Sequence, residues 1–155
     1  QSCDDEREIS YGKLPSLARA FIETYFPDQS VSYAERDKDD GRREYSVVLS
    51  NGTEIDFDQN GDWESVDCKF SVLPEGIVPQ SIAEDMAIRY PDAKAYKIER
   101  QLGGYELSIG QGRELVYAAG PLFGNNSIER HLYFWHNGGR CNGAPVRIVG
   151  RVPRK

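Results

Sequence analysis

Hydrophobic and polar positions alternate with a period of two from Glu44 to Trp63, EYSVVLSNGTEIDFDQNGDW. Tyr45, Val47 and Leu49 alternate with Glu44, Ser46 and Val48, and Ile55 and Phe57 alternate with Glu54, Asp56 and Asp58. Successive strand side chains point to opposite faces, so the pattern predicts two strands, each with one apolar face and one mostly polar or acidic face. Asn51-Gly52 between them predicts a type I′ hairpin turn, which needs positive φ at both central residues. Asn60-Gly61 repeats that signal before a third strand, Trp63 to Phe70, with Trp63, Val66 and Phe70 at its buried positions although strict alternation fails there.

Upstream the period changes to that of a helix. Leu14, Leu17, Ala18, Phe21, Ile22 and Tyr25 follow i, i+3, i+4, i+7 spacing, predicting an amphipathic helix over Leu14 to Phe26. Pro15 suits its first turn and Pro27 stops it. A strand follows near Val31 to Arg36, then a charged loop from Asp37 to Arg42. Residues through about Ser10 read as a polar leader outside the fold.

The pattern then begins again. Pro79 and Pro91 stand 64 residues after Pro15 and Pro27, bracketing a second helix with Ile82, Ala83, Met86, Ala87 and Tyr90 as its apolar stripe. A strand near Lys94 to Arg100 follows it. Tyr105, Leu107 and Ile109 match Tyr45, Val47 and Leu49 at an offset of 60. Gln111-Gly112 replaces Asn51-Gly52, and Leu115 and Tyr117 replace Ile55 and Phe57. The chain thus predicts an α+β tandem repeat: a helix plus an antiparallel three- or four-stranded sheet, twice, with the helices on one face. The copies cover residues 11–72 and 73–120, after a leader of residues 1–10. Residues 121–155 depart from the repeat: basic and Gly-rich, they offer a strand at His131 to His136 and another at Val146 to Val152. Those residues either complete the second sheet or form an appendage.

Charge adds an asymmetry. Residues 1–120 carry 13 Lys and Arg against 24 Asp and Glu, a net −11, while residues 121–155 carry 6 against 1, a net +5. An acidic body repels nucleic acid phosphate, so no nucleic acid partner is expected. The apolar runs fall short of the ~20 residues that span a bilayer. Of three cysteines, Cys3, Cys68 and Cys141, none sits in a C-x-x-C spacing, which argues against zinc. Cys3 follows Gln1-Ser2 and precedes Asp4-Asp5-Glu6. This resembles the end of a bacterial lipoprotein signal, in which the cysteine is lipidated; the alternatives are an ordinary leader cysteine or half of a disulfide.

LPSLARAFIETYFPD, the Glu44 to Trp63 segment and VPQSIAEDMAIRYPD together resemble the PepSY-like family, also described as beta-lactamase-inhibitor-like, over roughly Ile9 to Gly120. The resemblance implies a tandem α+β fold, export to the periplasm or outer membrane of a Gram-negative cell, and no enzymatic activity. It implies no particular binding residues, and its inhibitor name is analogy at the level of fold.

The sharpest candidate for chemistry is Asp56-x-Asp58-x-Asn60-Gly61-Asp62, followed by Glu64 and Asp67. Counted from Asp56, oxygen ligands stand at positions 1, 3, 5, 9 and 12 of a calcium loop, with the Asp62 carbonyl at 7. The flanks, however, read as strands where an EF-hand has helices. The alternative is a hairpin turn beside a solvated acidic face. His131 and His136, five apart on a strand, fall on opposite faces and share no metal. Tyr33, Tyr45, Tyr96, Tyr105 and Trp63 offer aromatic contact, though Tyr45 and Tyr105 fall on the core side. Glu44, Glu54, Asp56 and Asp58 share the face away from the helices and, with Trp63, form the expected contact surface for a basic protein partner. The expected function is a non-enzymatic binding or inhibitory module of the cell envelope, needing no cofactor and touching membrane only through Cys3. The alternative is a calcium-responsive or purely structural envelope protein.

Overall fold

The computed structural model describes residues 7–39, 41–119, 128–134 and 146–152. The fold is α+β with open antiparallel sheet, divided into two compact units at Lys69 and Phe70.

In the first unit a single 3-10 turn, Tyr11–Lys13, leads into α1, Ser16–Tyr25. Four strands follow in spatial order: β1 Val31–Asp39, β2 Arg42–Leu49, β3 Glu54–Phe57 and β4 Trp63–Asp67. Tyr45 pairs with Phe57, Val47 with Ile55, and Ile55 with Val66. This register places Tyr45, Val47, Leu49, Ile55, Phe57 and Val66 in one buried set with Ala18 and Ile22 of α1. Phe21 of α1 meets Phe57 edge-on at 5.8 Å and Trp63 at 6.3 Å, so α1 covers this face.

Both Asn-Gly turns differ from the expected type I′ form. Gly52 N–H donates to Leu49 O at 2.9 Å, Leu49 N–H donates to Thr53 O at 2.8 Å, and only Gly52 of the dipeptide has positive φ. The loop therefore has three residues, Ser50 to Gly52, with glycine in the left-handed position. Gln59 to Gly61 repeats it: Gly61 N–H reaches Asp58 O at 3.0 Å and Asp58 N–H reaches Asp62 O at 2.8 Å. Gln111-Gly112 does take positive φ at both residues, 57° and 69°.

Other expectations shift for local reasons. The supposed charged loop Asp37 to Arg42 is largely strand, because β1 and β2 extend past the core as a solvated ribbon with Lys38 opposite Arg43 and Asp39 opposite Arg42. The supposed leader contributes Arg7–Ile9 to the β1 edge, where Ile9 N–H donates to Ala34 O at 2.8 Å and Arg7 pairs with Asp37 at 3.2 Å. Phe70, expected buried, is 96% exposed. The strand ends at Asp67, whose carboxylate accepts the N–H of Lys69, a residue at φ 56°. Strict alternation fails in β4 because the ladder slips a register beside Phe57, passing over Glu64, so that Trp63 and Val66 both face α1.

The second unit holds α2, Gln80–Arg89, and strands β5 Lys97–Gln101, β6 Gly104–Gly110, β7 Arg113–Ala119, β8 Ile128–Phe134 and β9 Val146–Val152, in that spatial order. Tyr105 pairs with Tyr117 and Leu107 with Leu115. Residues 128–134 and 146–152 thus extend the second sheet rather than hang from it. Leu107, Ile109, Leu115, Tyr117 and Leu132 are buried with Ile82 and Met86. Ala83 and Ala87, expected on the apolar stripe, are exposed, and Tyr105, expected in the core, is half-buried. Asp85 takes a buried helix position instead, 1% exposed.

Gly61 and Gly52 share a φ near +90° but differ in surroundings. A Cβ on Gly61 would stand 2.8 Å from Pro15 Cβ and 3.0 Å from Ala18 N, whereas Gly52 meets nothing within 4 Å. Gly52→Ala is expected to cost about 1 kcal/mol of backbone strain. Gly61→Ala is expected to cost a further ~1–3 kcal/mol, because the turn presses on the first turn of α1. Urea unfolding of the two variants measures the difference.

Candidate functional site

The face of the first sheet turned away from α1 carries the acidic residues. On β2 and β3 these are Glu44, Glu54 and Asp56, and the β3–β4 turn adds Asp58. Asp56 is a hub: Oδ1 accepts the Ser46 hydroxyl at 2.8 Å and Oδ2 the Ser65 hydroxyl at 3.0 Å. Ser46, Asp56 and Ser65 are directly paired across β2, β3 and β4, so three strands are stitched on the wet side. Asp58 closes its own turn, its Oδ1 accepting the N–H of Asn60 at 2.8 Å and of Asp62 at 3.0 Å. Glu54 reaches Lys69 at 3.2 Å, which Asp67 approaches at 3.9 Å.

Glu64 joins this face. Its carboxyl is held above the usual glutamate range, first by partial desolvation and then by the negative charges of Glu44, Asp58 and Asp56, with Arg42 opposing. Four carboxylates, Glu44, Asp56, Asp58 and Glu64, therefore repel one another on one patch. Trp63 stands apart from them. Half-buried against Phe21, it lies on the α1 side and does not belong to the acidic surface to which the sequence assigned it.

The same face of the second sheet is also acidic. Glu99 pairs directly with Glu106, and Glu114 lies one strand further. Glu106 is raised by desolvation, then by Glu114 and Glu99. Gln101 donates to both Glu99 and Glu106, at 3.3 and 3.2 Å.

The proposed calcium ligands do not converge. Asp56 spends both oxygens on serine hydroxyls, Asp58 caps a turn, and Asp67 turns toward Lys69. Among the described residues, no group of three or more His, Cys, Asp or Glu is placed to hold a metal ion. The strand flanks set this geometry, since they point Asp56 along the sheet normal rather than into a loop. Cys68 is a free thiol, buried, with burial pushing its pKa up. Cys3, Cys141 and His136 lie outside the described residues. His131 belongs to β8, opposite Val116.

One polar cluster escaped the reading of the sequence. Asp85 of α2 accepts the Tyr117 hydroxyl at 2.7 Å and pairs with Arg130 Nη1 at 2.8 and 2.9 Å. Arg130, 8% exposed, also stacks over the Tyr90 ring at 5.9 Å. The signal was present as an aspartate breaking the α2 stripe between Ile82 and Met86.

The family described as putative beta-lactamase-inhibitor-like, PepSY-like, matches residues 43–122. The match runs from β2 through β7 and leaves Arg130 beyond it. Among solved structures, a putative periplasmic protein from Bacteroides vulgatus is 38% identical with a TM-score of 0.70, over 76% of this chain and 92% of that one. A putative calcium-regulated periplasmic protein from Bacteroides thetaiotaomicron is 35% identical with a TM-score of 0.70, over 82% and 98%. A putative periplasmic protein of unknown function from Bacteroides vulgatus is 33% identical with a TM-score of 0.68, over 77% and 94%. No functionally curated protein matches the chain.

The raised pKa of Glu64 fixes the sign of its effect on stability. The fold favours the protonated form, so its contribution falls as pH rises from the ordinary glutamate range through the raised value. Glu64→Gln is expected to stabilise the protein at pH 7 by no more than about 0.5 kcal/mol, given solvent screening. The gain is expected to vanish below about pH 4, where the side chain is neutral in both states, and to shrink in high salt. Thermal melts across pH and salt check both trends.

Proposed function

The chain belongs to the PepSY-like family, and from that premise we propose that it is an exported, non-enzymatic binding module of the cell envelope whose acidic sheet face receives a basic protein partner. The relatives described as periplasmic support export, and no helix among the described residues is long and apolar enough to cross a membrane. The face holds carboxylates set for charge rather than a nucleophile with a base, which supports a binding role.

We read the chain as two copies of one unit. The helices support this: Pro15 and Pro79 sit at the N-caps with φ, ψ of −56°, 148° and −53°, 143°. Phe26 and Tyr90 sit at the C-caps with −133°, 52° and −135°, 60°. The strand pairs Tyr45–Phe57 and Val47–Ile55 recur as Tyr105–Tyr117 and Leu107–Leu115.

The observation that carries the binding reading is the gathering of Glu44, Asp56, Asp58 and Glu64 on one face, where desolvation first and the three neighbouring carboxylates second hold the Glu64 pKa up. A cationic partner relieves the repulsion among them on docking, and complementary charge speeds encounter in a salt-dependent way. Trp63, on the α1 side, is left out of the contact surface.

A second reading, response to calcium, is favoured by the relative described as calcium-regulated and by the Asp56 to Asp67 spacing. It requires Asp56 to share oxygens that already accept the Ser46 and Ser65 hydroxyls.

The test is capture from envelope extract by the full chain, with Glu44→Lys/Glu64→Lys beside it. Neither substituted carboxylate accepts a hydrogen bond from the described residues, so the variant is expected to keep its melting temperature while capture drops at least ~10-fold, as expected when charge complementarity is reversed. Equal capture by the variant, or none by either protein, overturns the binding reading. A melting shift in millimolar calcium that is lost in Asp56→Asn would favour the second reading, and no shift would remove it.

A further inference from the structure

The two units differ in kind at one set of three residues where helix and strands meet. In the first, Phe21 of α1 meets Phe57 of β3 and Trp63 of β4, and Phe57 pairs with Trp63 across the strands. In the second, Asp85 of α2 meets Tyr117 of β7 and Arg130 of β8, and Tyr117 pairs with Arg130. Phe21 and Asp85 are 64 residues apart, as are their N-cap prolines, and Phe57 and Tyr117 are 60 apart, as are Tyr45 and Tyr105. The C-cap rings correspond too: Phe26 lies 6.5 Å from Phe21, and Tyr90 carries the Arg130 guanidinium. One unit thus fills this site with aromatic rings, and the other with an ion pair and a hydroxyl.

We infer that the Asp85–Tyr117–Arg130 cluster is a recognition device that keeps each helix on its own sheet. The inference rests on the two-copy reading and is independent of the acidic-face reading. Two like helices and two like apolar sheet faces on one chain invite exchange, the characteristic misassembly of repeat proteins. The rest of the helix faces offers little discrimination, since Ala18 and Ile22 correspond to Ile82 and Met86, apolar in both copies. At the distinctive site the two sets exclude each other. With α2 on the first sheet, the Asp85 carboxylate would lie against the Phe57 and Trp63 rings without the Arg130 guanidinium and Tyr117 hydroxyl that neutralise and bond it in the second unit. With α1 on the second sheet, Phe21 would leave the Arg130 guanidinium and the Tyr117 hydroxyl buried without their acceptor. An unpaired buried charge is far more costly than its replacement by apolar packing, so the correct pairing wins through the penalty on the wrong one. Covalent linkage alone does not choose, because an exchanged helix can also come from a second molecule.

The test uses refolding of the full chain from denaturant, read as the fraction of native monomer by size-exclusion chromatography. Asp85→Phe/Tyr117→Phe/Arg130→Trp gives both units the aromatic set. It is expected to fold, yet its monomer yield is expected to fall at least ~2-fold, with exchanged dimers in its place. A second pair of variants holds composition constant. Exchanging only the helix residues, Phe21→Asp with Asp85→Phe, is expected to abolish most native monomer. Adding Phe57→Tyr, Trp63→Arg, Tyr117→Phe and Arg130→Trp is expected to restore it. Wild-type yield from the triple variant, or from the helix exchange alone, overturns the recognition role while leaving the two-copy reading standing. Failure of the six-residue exchange to restore monomer overturns both, because the positions are then not equivalent.

Discussion

The pairing of Tyr45 with Phe57 and Val47 with Ile55 decides which side of the first sheet is wet. A slip of one residue would turn Glu54 and Asp56 onto α1 and Ile55 and Phe57 into water. Burial of Val47, Ile55 and Phe57, each at 1% exposure or less, opposes that slip. So does the wet side, where the Ser46–Asp56–Ser65 bonds form only in the native register. Apolar burial and polar cross-linking thus select the same alignment from opposite faces. The acidic surface is therefore a direct consequence of how the core is built.

The register slip in β4 has a similar double effect. By passing over Glu64 it sends Trp63 toward Phe21 and leaves Glu64 with the acidic side. Trp63 closes the apolar site under α1, while Glu64 raises the negative charge density above it. The Gln59–Gly61 turn just before β4 then meets the start of α1, where Gly61 leaves no room for a side chain. Strand, turn and helix cap are coupled here within a few residues. Charge on the wet side and packing on the dry side therefore depend on a single backbone irregularity.

Much of this was legible in the sequence. Period-two alternation located β2 and β3, and the helical stripe and bracketing prolines located α1 and α2. The family match and the 38% identical structure agree with the resemblance drawn from those same segments. What escaped were features set by a neighbour rather than by local pattern. The Asn51-Gly52 dipeptide does not reveal whether its turn has two residues or three. Phe70 looks apolar and buried until Lys69 reverses the chain beside it. The calcium spacing Asp56-x-Asp58 counts ligands but cannot say that Ser46 and Ser65, ten residues before and nine after Asp56, already claim the first of them. Trp63 could not be assigned a side without the register slip.

The buried polar cluster of the second unit was the least legible feature. Asp85 looks like a blemish on an otherwise apolar stripe, and Arg130 lies beyond the family match, in a stretch whose charge suggested a tail. Joined, they hold α2 to β8 at 2.8 Å, with Tyr117 of β7 donating to the same carboxylate. Replacing a buried ion pair by well-packed apolar residues is often neutral or stabilising, so stability alone gives little reason for one here. The first unit offers a comparison within the same molecule, since Phe21, Phe57 and Trp63 join its helix to its strands without any charge. What the ion pair adds over apolar packing is a demand for specific partners, since Asp85, Tyr117 and Arg130 satisfy one another only when α2, β7 and β8 meet.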